Sequence, residues 1–357
     1  MSDFHVVVED LVKTYPGSAT PSVDHVSFSL PQGEMLALLG PSGCGKTTML
    51  RMIAGLIEPD TGTISLNGRD ISAIPVYQRN IGMVFQSYAL FPHMTIAQNV
   101  AFGLDVRKVG KSERDSRVRK ALDLVKLTGL GDRRVSQLSG GQQQRAAIAR
   151  SLVIEPALLL FDEPLSNLDA KLRDEMRDEI RDIQRRTGVT AIFVTHDQDE
   201  ALSMADRLVV MSNGRLEQIG TPSDIFDRPQ TDFVARFIGS GNFFSALITR
   251  EGIREIPGLG AIHIASDTLL RETVNVLIRP HRLVPVLSGK RDGVNHFHGV
   301  VERIVYRGQV QALTVQCGRY QLQAEIFTHI GYTPKVGEPI TFVVDPADVT
   351  LIGRDVA

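Results

Sequence analysis

The run Gly40-Pro-Ser-Gly-Cys-Gly-Lys-Thr47 sets glycines at three places beside a lysine and a hydroxyl. It follows the apolar stretch Met35-Leu-Ala-Leu-Leu39, which reads as a buried strand. It precedes Thr48-Met-Leu-Arg-Met-Ile-Ala54, which reads as the start of a helix. A glycine-rich turn from strand to helix aims several backbone N–H groups into one concavity, and the helix N-terminus adds positive potential there. Gly40, Gly43 and Gly45 let the backbone close where a Cβ would clash. Lys46 can reach β- and γ-phosphates, and the Thr47 hydroxyl can ligate Mg²⁺. The pattern predicts a nucleoside triphosphate cradle built from Gly40, Pro41, Ser42, Gly43, Cys44, Gly45, Lys46, Thr47 and Thr48. A dinucleotide fingerprint fails, because Lys46 and Thr47 stand where a third glycine is needed.

Further candidates lie at the ends of other predicted elements. Ile81-Gly-Met-Val-Phe85 leads as a strand into Gln86, whose amide oxygen can meet Mg²⁺ and whose NH₂ can meet an attacking water. Ala157-Leu-Leu-Leu-Phe161 delivers Asp162 and Glu163. Adjacent side chains on a strand point to opposite sides, so the two carboxylates take different tasks. Asp162 suits the Mg²⁺ shell, and Glu163 suits proton abstraction from water. Val189-Thr-Ala-Ile-Phe-Val194 brings His196 to the same sheet edge, where it can contact a γ-phosphate. Tyr15, upstream of the glycine loop, can lay its ring on a base. Leu138-Ser-Gly-Gly-Gln142 opens a second helix with an anion-binding start. One domain holds one triphosphate, and the first loop already surrounds it. The second element therefore predicts a head-to-tail dimer with two nucleotides between the copies.

These residues need an α/β scaffold. Residues 4–39 and 62–86 read as β-rich, with an Asn67-Gly68 turn. Residues 96–135 read as helical, with Val118, Ala121, Leu122 and Val125 on one face. They interrupt the α/β pattern as an inserted subdomain spanning about 87–157. The segment Ser87-Tyr-Ala-Leu-Phe-Pro-His-Met-Thr95 is apolar for a loop, which marks either a partner surface or a buried connection. Residues 208–219 read as a closing hairpin, and two short helices end the first domain at 238. Gly239-Ser-Gly-Asn242 marks the boundary. Short β segments follow at 243–249, 261–265, 274–278, 299–306, 312–316, 320–326 and 340–345, spaced as in a small barrel occupying 239–357. His281, His296 and His298 have no cysteine or carboxylate constellation near them in sequence, so they read as structural.

At 357 residues the chain has room for two domains. A formal charge of −2 gives no argument for nucleic acid. Cys44 and Cys317 are the two cysteines, which fits a reducing compartment. The N-terminus does not read as a signal peptide, and no apolar run approaches the ~20 residues that span a bilayer, so a membrane role is expected to come through a partner.

In this order the elements resemble the ATP-binding cassette subunit of a bacterial ABC importer. Residues 40–47 resemble Walker A, Gln86 the Q-loop, residues 138–142 the signature, residues 158–163 Walker B, residues 166–169 the D-loop, and His196 the switch histidine. The tail is similar to a C-terminal OB-like (TOBE) domain, although His281 stands where that domain usually has an acidic residue. The resemblance implies a P-loop NTPase cassette with an inserted helical subdomain, followed by a small all-β domain. It implies ATP and Mg²⁺ held by Tyr15, the cradle, Gln86 and Asp162, with Glu163, His196 and Gln86 catalytic. Ser139, Gly140, Gly141, Gln142 and Asp169 would act across a homodimer. It implies two membrane-spanning permease subunits, a periplasmic or extracellular solute-binding protein, and a peripheral place on the cytoplasmic face of the inner (plasma) membrane. Polyamine (spermidine/putrescine) uptake is the favoured reading. Ferric-iron, sugar or phosphonate import and a non-transport ABC ATPase are the alternatives.

Overall fold

Strand β1 (Phe4–Lys13) pairs antiparallel with β2 (Val23–Pro31). The next strand, β3 (Met35–Leu39), is buried at every residue, as its uninterrupted apolar sequence requires. It turns into α1 (Lys46–Ala54), which Gly55 closes in the left-handed conformation. Strands β4 (Thr61–Leu66) and β5 (Arg69–Asp70) flank Asn67 and Gly68, both with positive φ, as a two-residue hairpin demands. The chain then runs through β6 (Ile81–Val84), the helical insertion α2 (Ile96–Val106) and α3 (Lys111–Leu124), and α4 (Gly140–Leu152). It returns as β7 (Leu158–Asp162), α5 (Ala170–Thr187), β8 (Thr190–Thr195), α6 (Gln198–Met204), β9 (Arg207–Ser212) and β10 (Arg215–Gly220).

Two sheets result. One, ordered β2-β1-β4-β5, is antiparallel. The other, ordered β10-β9-β3-β8-β7-β6, is parallel except for its edge hairpin β9–β10. A core of Val6, Leu30, Leu38, Met49, Ile53, Leu160 and Val194, among others, packs between the sheets and α1. Burial of this apolar surface is what fixes the glycine loop between β3 and α1.

The computed structural model describes residues 4–248, 254–265, 273–286, 295–328 and 332–353. The chain divides into two compact units, 1–222 and 223–357. The division falls after Pro222, the first residue of the short helix α7 (Pro222–Asp227), and ahead of α8 (Asp232–Phe237), not at 238 as the sequence pattern predicts. The reason is packing: Ala235 of α8 shares a small core with Leu277 and Ile352.

In the second unit one sheet is ordered β13 (Gly260–Ile262), β12 (Arg254–Ile256), β11 (Asn242–Ile248), β14 (Thr273–Ile278), β20 (Val349–Ile352). The other is ordered β15 (Val284–Pro285), β19 (Pro339–Val344), β16 (Asn295–Tyr306), β17 (Val310–Cys317), β18 (Tyr320–Phe327). Phe244, Val276, Leu313, Val315 and Phe342 fill one core with both sheets contributing. The expected segment 243–249 is β11; its last residue, Thr249, lies outside the described residues. His296 and His298 stack in parallel on β16, and His298 Nδ1 is 2.9 Å from Thr341 Oγ1. Among the described residues no helix is long and apolar enough to cross a membrane.

Candidate functional site

The glycine loop needs glycine for two separate reasons. Gly45 has φ +103°, and a Cβ there would lie 2.1 Å from Ser22 O. A Cβ on Gly40 would lie 2.3 Å from Met211 O and 2.6 Å from Cys44 Sγ. The obstacle at both is the protein's own atoms. Gly43, by contrast, meets nothing, and only its φ of +80° calls for glycine.

Lys46 opens α1 and is only 5% exposed. Its Nζ donates to Gly40 O at 2.7 Å and Pro41 O at 2.8 Å, which holds the ammonium inside the loop. Ser42, Gly43, Gly45, Lys46, Thr47 and Thr48 line a cavity of about 330 Å³ together with Ser22 and Glu163. Pro41 and Cys44 shape the loop without lining the cavity: Cys44 N donates to Pro41 O at 3.3 Å. Tyr15 borders α1, with its hydroxyl 3.3 Å from Thr48 Oγ1 and its ring partly exposed. A larger cleft, about 1000 Å³, opens near Ala157 and Thr190 at the opposite ends of the parallel strands, away from these groups.

Glu163 departs from the alternation expected of a strand. β7 ends at Asp162, and Glu163 takes φ +47°, a left-handed conformation uncommon outside glycine. The separation of the two carboxylates therefore comes from a backbone turn. Asp162 stays buried, with Arg51 Nη2 3.8 Å away. Burial pushes its carboxyl above the ordinary range, Arg51 works against that, and Glu163 adds to it. Glu163 faces the cavity. Its Oε2 is 3.5 Å from His196 Nδ1 and 3.5 Å from Gln86 Nε2. Gln86 Nε2 also donates to Ser166 Oγ at 3.1 Å, and Gln86 O accepts from Asn167 Nδ2 at 2.8 Å. Three separate strand ends, after β6, β7 and β8, thus meet at one carboxylate.

The second anion element stays outside this group. Ser139 Oγ accepts from Gln142 N at 3.4 Å, and Gln142 Oε1 accepts from Ser139 N at 3.0 Å. This capping box satisfies both side chains and leaves the first-turn N–H groups of α4, at Gly140 and Gly141, for a ligand. Gly141 packs on Leu172, where a Cβ would lie 3.2 Å from Cδ1. Asp169 caps α5 through Leu172 N at 3.0 Å. None of residues 139–142 lines the cavity of the glycine loop.

The segment after Gln86 is bound to the insertion. Asn99 holds Phe91 through Phe91 N at 2.8 Å and Phe91 O at 3.1 Å, and Phe91 packs on Phe102. Tyr88 is buried. Sequence reading did not single out Arg51, Ser22 or Arg150. Arg51 stands one helical turn after Thr47, a spacing that can be read; the contacts of Ser22 and Arg150 cannot.

A strand–glycine loop–helix cradle, a carboxylate at the neighbouring strand end, and a capped glycine pair on α4 define a P-loop ATPase of the cassette type. Residues 23–166 match the ABC transporter family, and residues 276–352 match the TOBE domain. A spermidine/putrescine import ATP-binding protein of Acetivibrio thermocellus is 42% identical over 97% of this chain and 96% of its own length. An Fe(3+) ions import ATP-binding protein of Photorhabdus laumondii is 44% identical over 85% of this chain and 88% of its own. Among solved structures, the dimeric post-hydrolysis state of the ATP-binding cassette MJ0796, bound to ADP and Pi, superimposes with a TM-score of 0.54 at 30% identity. That match covers 61% of this chain and 98% of the other. The chain belongs to the ATP-binding subunits of ABC importers that carry a C-terminal TOBE domain.

Proposed function

We propose that the chain works as a homodimer beneath two permease subunits on the cytoplasmic face of the membrane, hydrolysing ATP to drive polyamine uptake delivered by a solute-binding protein. Each nucleotide would lie on residues 40–48 of one copy and meet Ser139, Gly140, Gly141, Gln142 and Asp169 of the other. One observation carries this reading. The cavity is closed on one side by Glu163, yet it includes no part of the second anion element. A second copy would supply that element.

The geometry supports the following roles. Loop N–H groups and Lys46 Nζ bind the β- and γ-phosphates. Tyr15, beside Thr48, is placed to stack on the base. Glu163 takes a proton from the attacking water as its oxygen bonds to the γ-phosphorus and the bond to ADP breaks. Gln86 and His196, each 3.5 Å from Glu163 Oε2, orient that water and the phosphate. The Thr47 hydroxyl, Gln86 amide oxygen and Asp162 carboxylate are hard oxygen donors, and among the described residues buried Asp162 has one ion-pair partner, the half-exposed Arg51 at 3.8 Å, so the set fits Mg²⁺. When bound, Mg²⁺ would neutralise phosphate charge.

The near full-length match to a polyamine-import relative favours polyamine as the solute, and the ferric-iron relative supplies the alternative. Uptake of labelled spermidine and of ferric iron by the source cells, wild type against Glu163→Gln, separates them. The reading expects spermidine uptake alone to fall. Loss of iron uptake alone would replace the solute, and unchanged uptake of both would remove both solutes.

A further inference from the structure

The last turn of α4 grips the segment carrying Gln86 from both sides. Ahead of it, Ser151 Oγ donates to Met83 O in β6 at 2.9 Å. Beyond it, Arg150 Nη1 donates to Ala89 O at 2.6 Å and Nη2 to Tyr88 O at 2.9 Å. Tyr88 and Ala89 have φ of +62° and +50°, two consecutive non-glycine residues in the left-handed region. Such backbone persists only where its surroundings over-determine it. Here the two carbonyls converge on one planar guanidinium, whose fork suits two acceptors at once. The approach is close: a Cβ on Gly82 would lie 2.7 Å from Ser151 O. The other end of α4, about 20 Å away for a helix of this length, is the Ser139–Gln142 cap. One rigid helix therefore bears the second anion element at its start and the grip on Gln86's segment at its end.

We propose that Arg150 is a positioning residue for Gln86, fixing the turn at Tyr88 and Ala89 so that Gln86's place beside Glu163 follows the position of α4. Engagement of α4's start by a partner's nucleotide is then felt at the Glu163 of α4's own copy. This rests on the catalytic reading of Gln86 and Glu163 given above. It differs from simple bracing in one respect: removing Arg150 changes turnover only through Gln86, so the loss disappears where Gln86 is already absent.

The test is steady-state MgATP hydrolysis by the full chain: wild type, Arg150→Ala, Arg150→Lys, Gln86→Ala and the Arg150→Ala/Gln86→Ala double variant. A displaced catalytic group costs about 10- to 100-fold, so Arg150→Ala should lose that much kcat, with KM moving no further than it does in Gln86→Ala. The double variant should be no slower than Gln86→Ala, because residues acting through one another are not additive. Millimolar methylguanidine should restore Arg150→Ala and leave Gln86→Ala slow. Arg150→Lys keeps the cation but offers one nitrogen, so it should show a smaller loss of kcat; this variant carries the test if Arg150→Ala does not fold. Multiplicative losses in the double variant, a rise in KM beyond that of Gln86→Ala, or wild-type kcat in either Arg150 variant would overturn the proposal. Wild-type kcat in Gln86→Ala would instead overturn the catalytic reading, and the proposal with it.

Discussion

Asp162 ends β7 buried, while Glu163, one residue on, turns by a positive φ to face the phosphate cavity. The raised carboxyl of Asp162 makes a pH prediction. A proton on Asp162 excludes a cation from it. The Mg²⁺-dependent part of ATP affinity should therefore be full above that raised value and fall as pH drops through it. This decline should begin above the ordinary carboxylate value of 3.8. Asp162→Asn should lose the pH step and most of the Mg²⁺ dependence. Titrating ATP affinity against pH with and without Mg²⁺ checks this; a pH-independent difference would contradict it. Residues such as Lys46, Gln86 and Glu163 were legible in the sequence because each closes an apolar run or a glycine loop. The contacts of Ser166 with Gln86 and of Arg150 with Ala89 were not. These residues meet their partners across 80 and 61 residues of chain, and no local pattern encodes such contacts.

At the scale of elements, the loop depends on what flanks α1. Arg79 is 4% exposed and caps the end of α1 through Met52 O and Ile53 O, both at 2.9 Å, while also holding Ile74 O and Ser72 O. Arg79→Ala leaves these carbonyls without their donor and should destabilise the first unit by about 3 kcal/mol. Urea unfolding measures this, and a loss under ~1 kcal/mol would show that water replaces the guanidinium. Gly45→Ala places a methyl 2.1 Å from Ser22 O at φ +103°. It should abolish ATP binding more completely than it lowers stability; equilibrium nucleotide binding beside a thermal melt separates the two. The parallel strands were legible because burial on both faces makes their sequences continuously apolar, as in Leu158-Leu-Leu-Phe161. Strands of two or three residues, β5, β12 and β15, carry too little periodicity to read. The placement of α8 with the second unit was equally hidden, since it depends on Ala235 meeting Leu277 and Ile352.

At the scale of the whole molecule, the first unit carries two candidate anion-binding elements that do not share a cavity, and family membership assigns it to ATP-driven import. In the proposed dimer each element serves the nucleotide of the other copy. Co-expression of two differently tagged chains tests it directly. One carries Lys46→Ala, which disables its cradle. The other carries Ser139→Phe, which disables its α4 cap. Each homodimer should be inactive, having one defect at every site. The purified heterodimer should recover ATP hydrolysis, up to about half of wild type, because one of its sites combines an intact cradle with an intact cap. A heterodimer no more active than either homodimer would contradict the shared site and leave each copy to hydrolyse ATP alone.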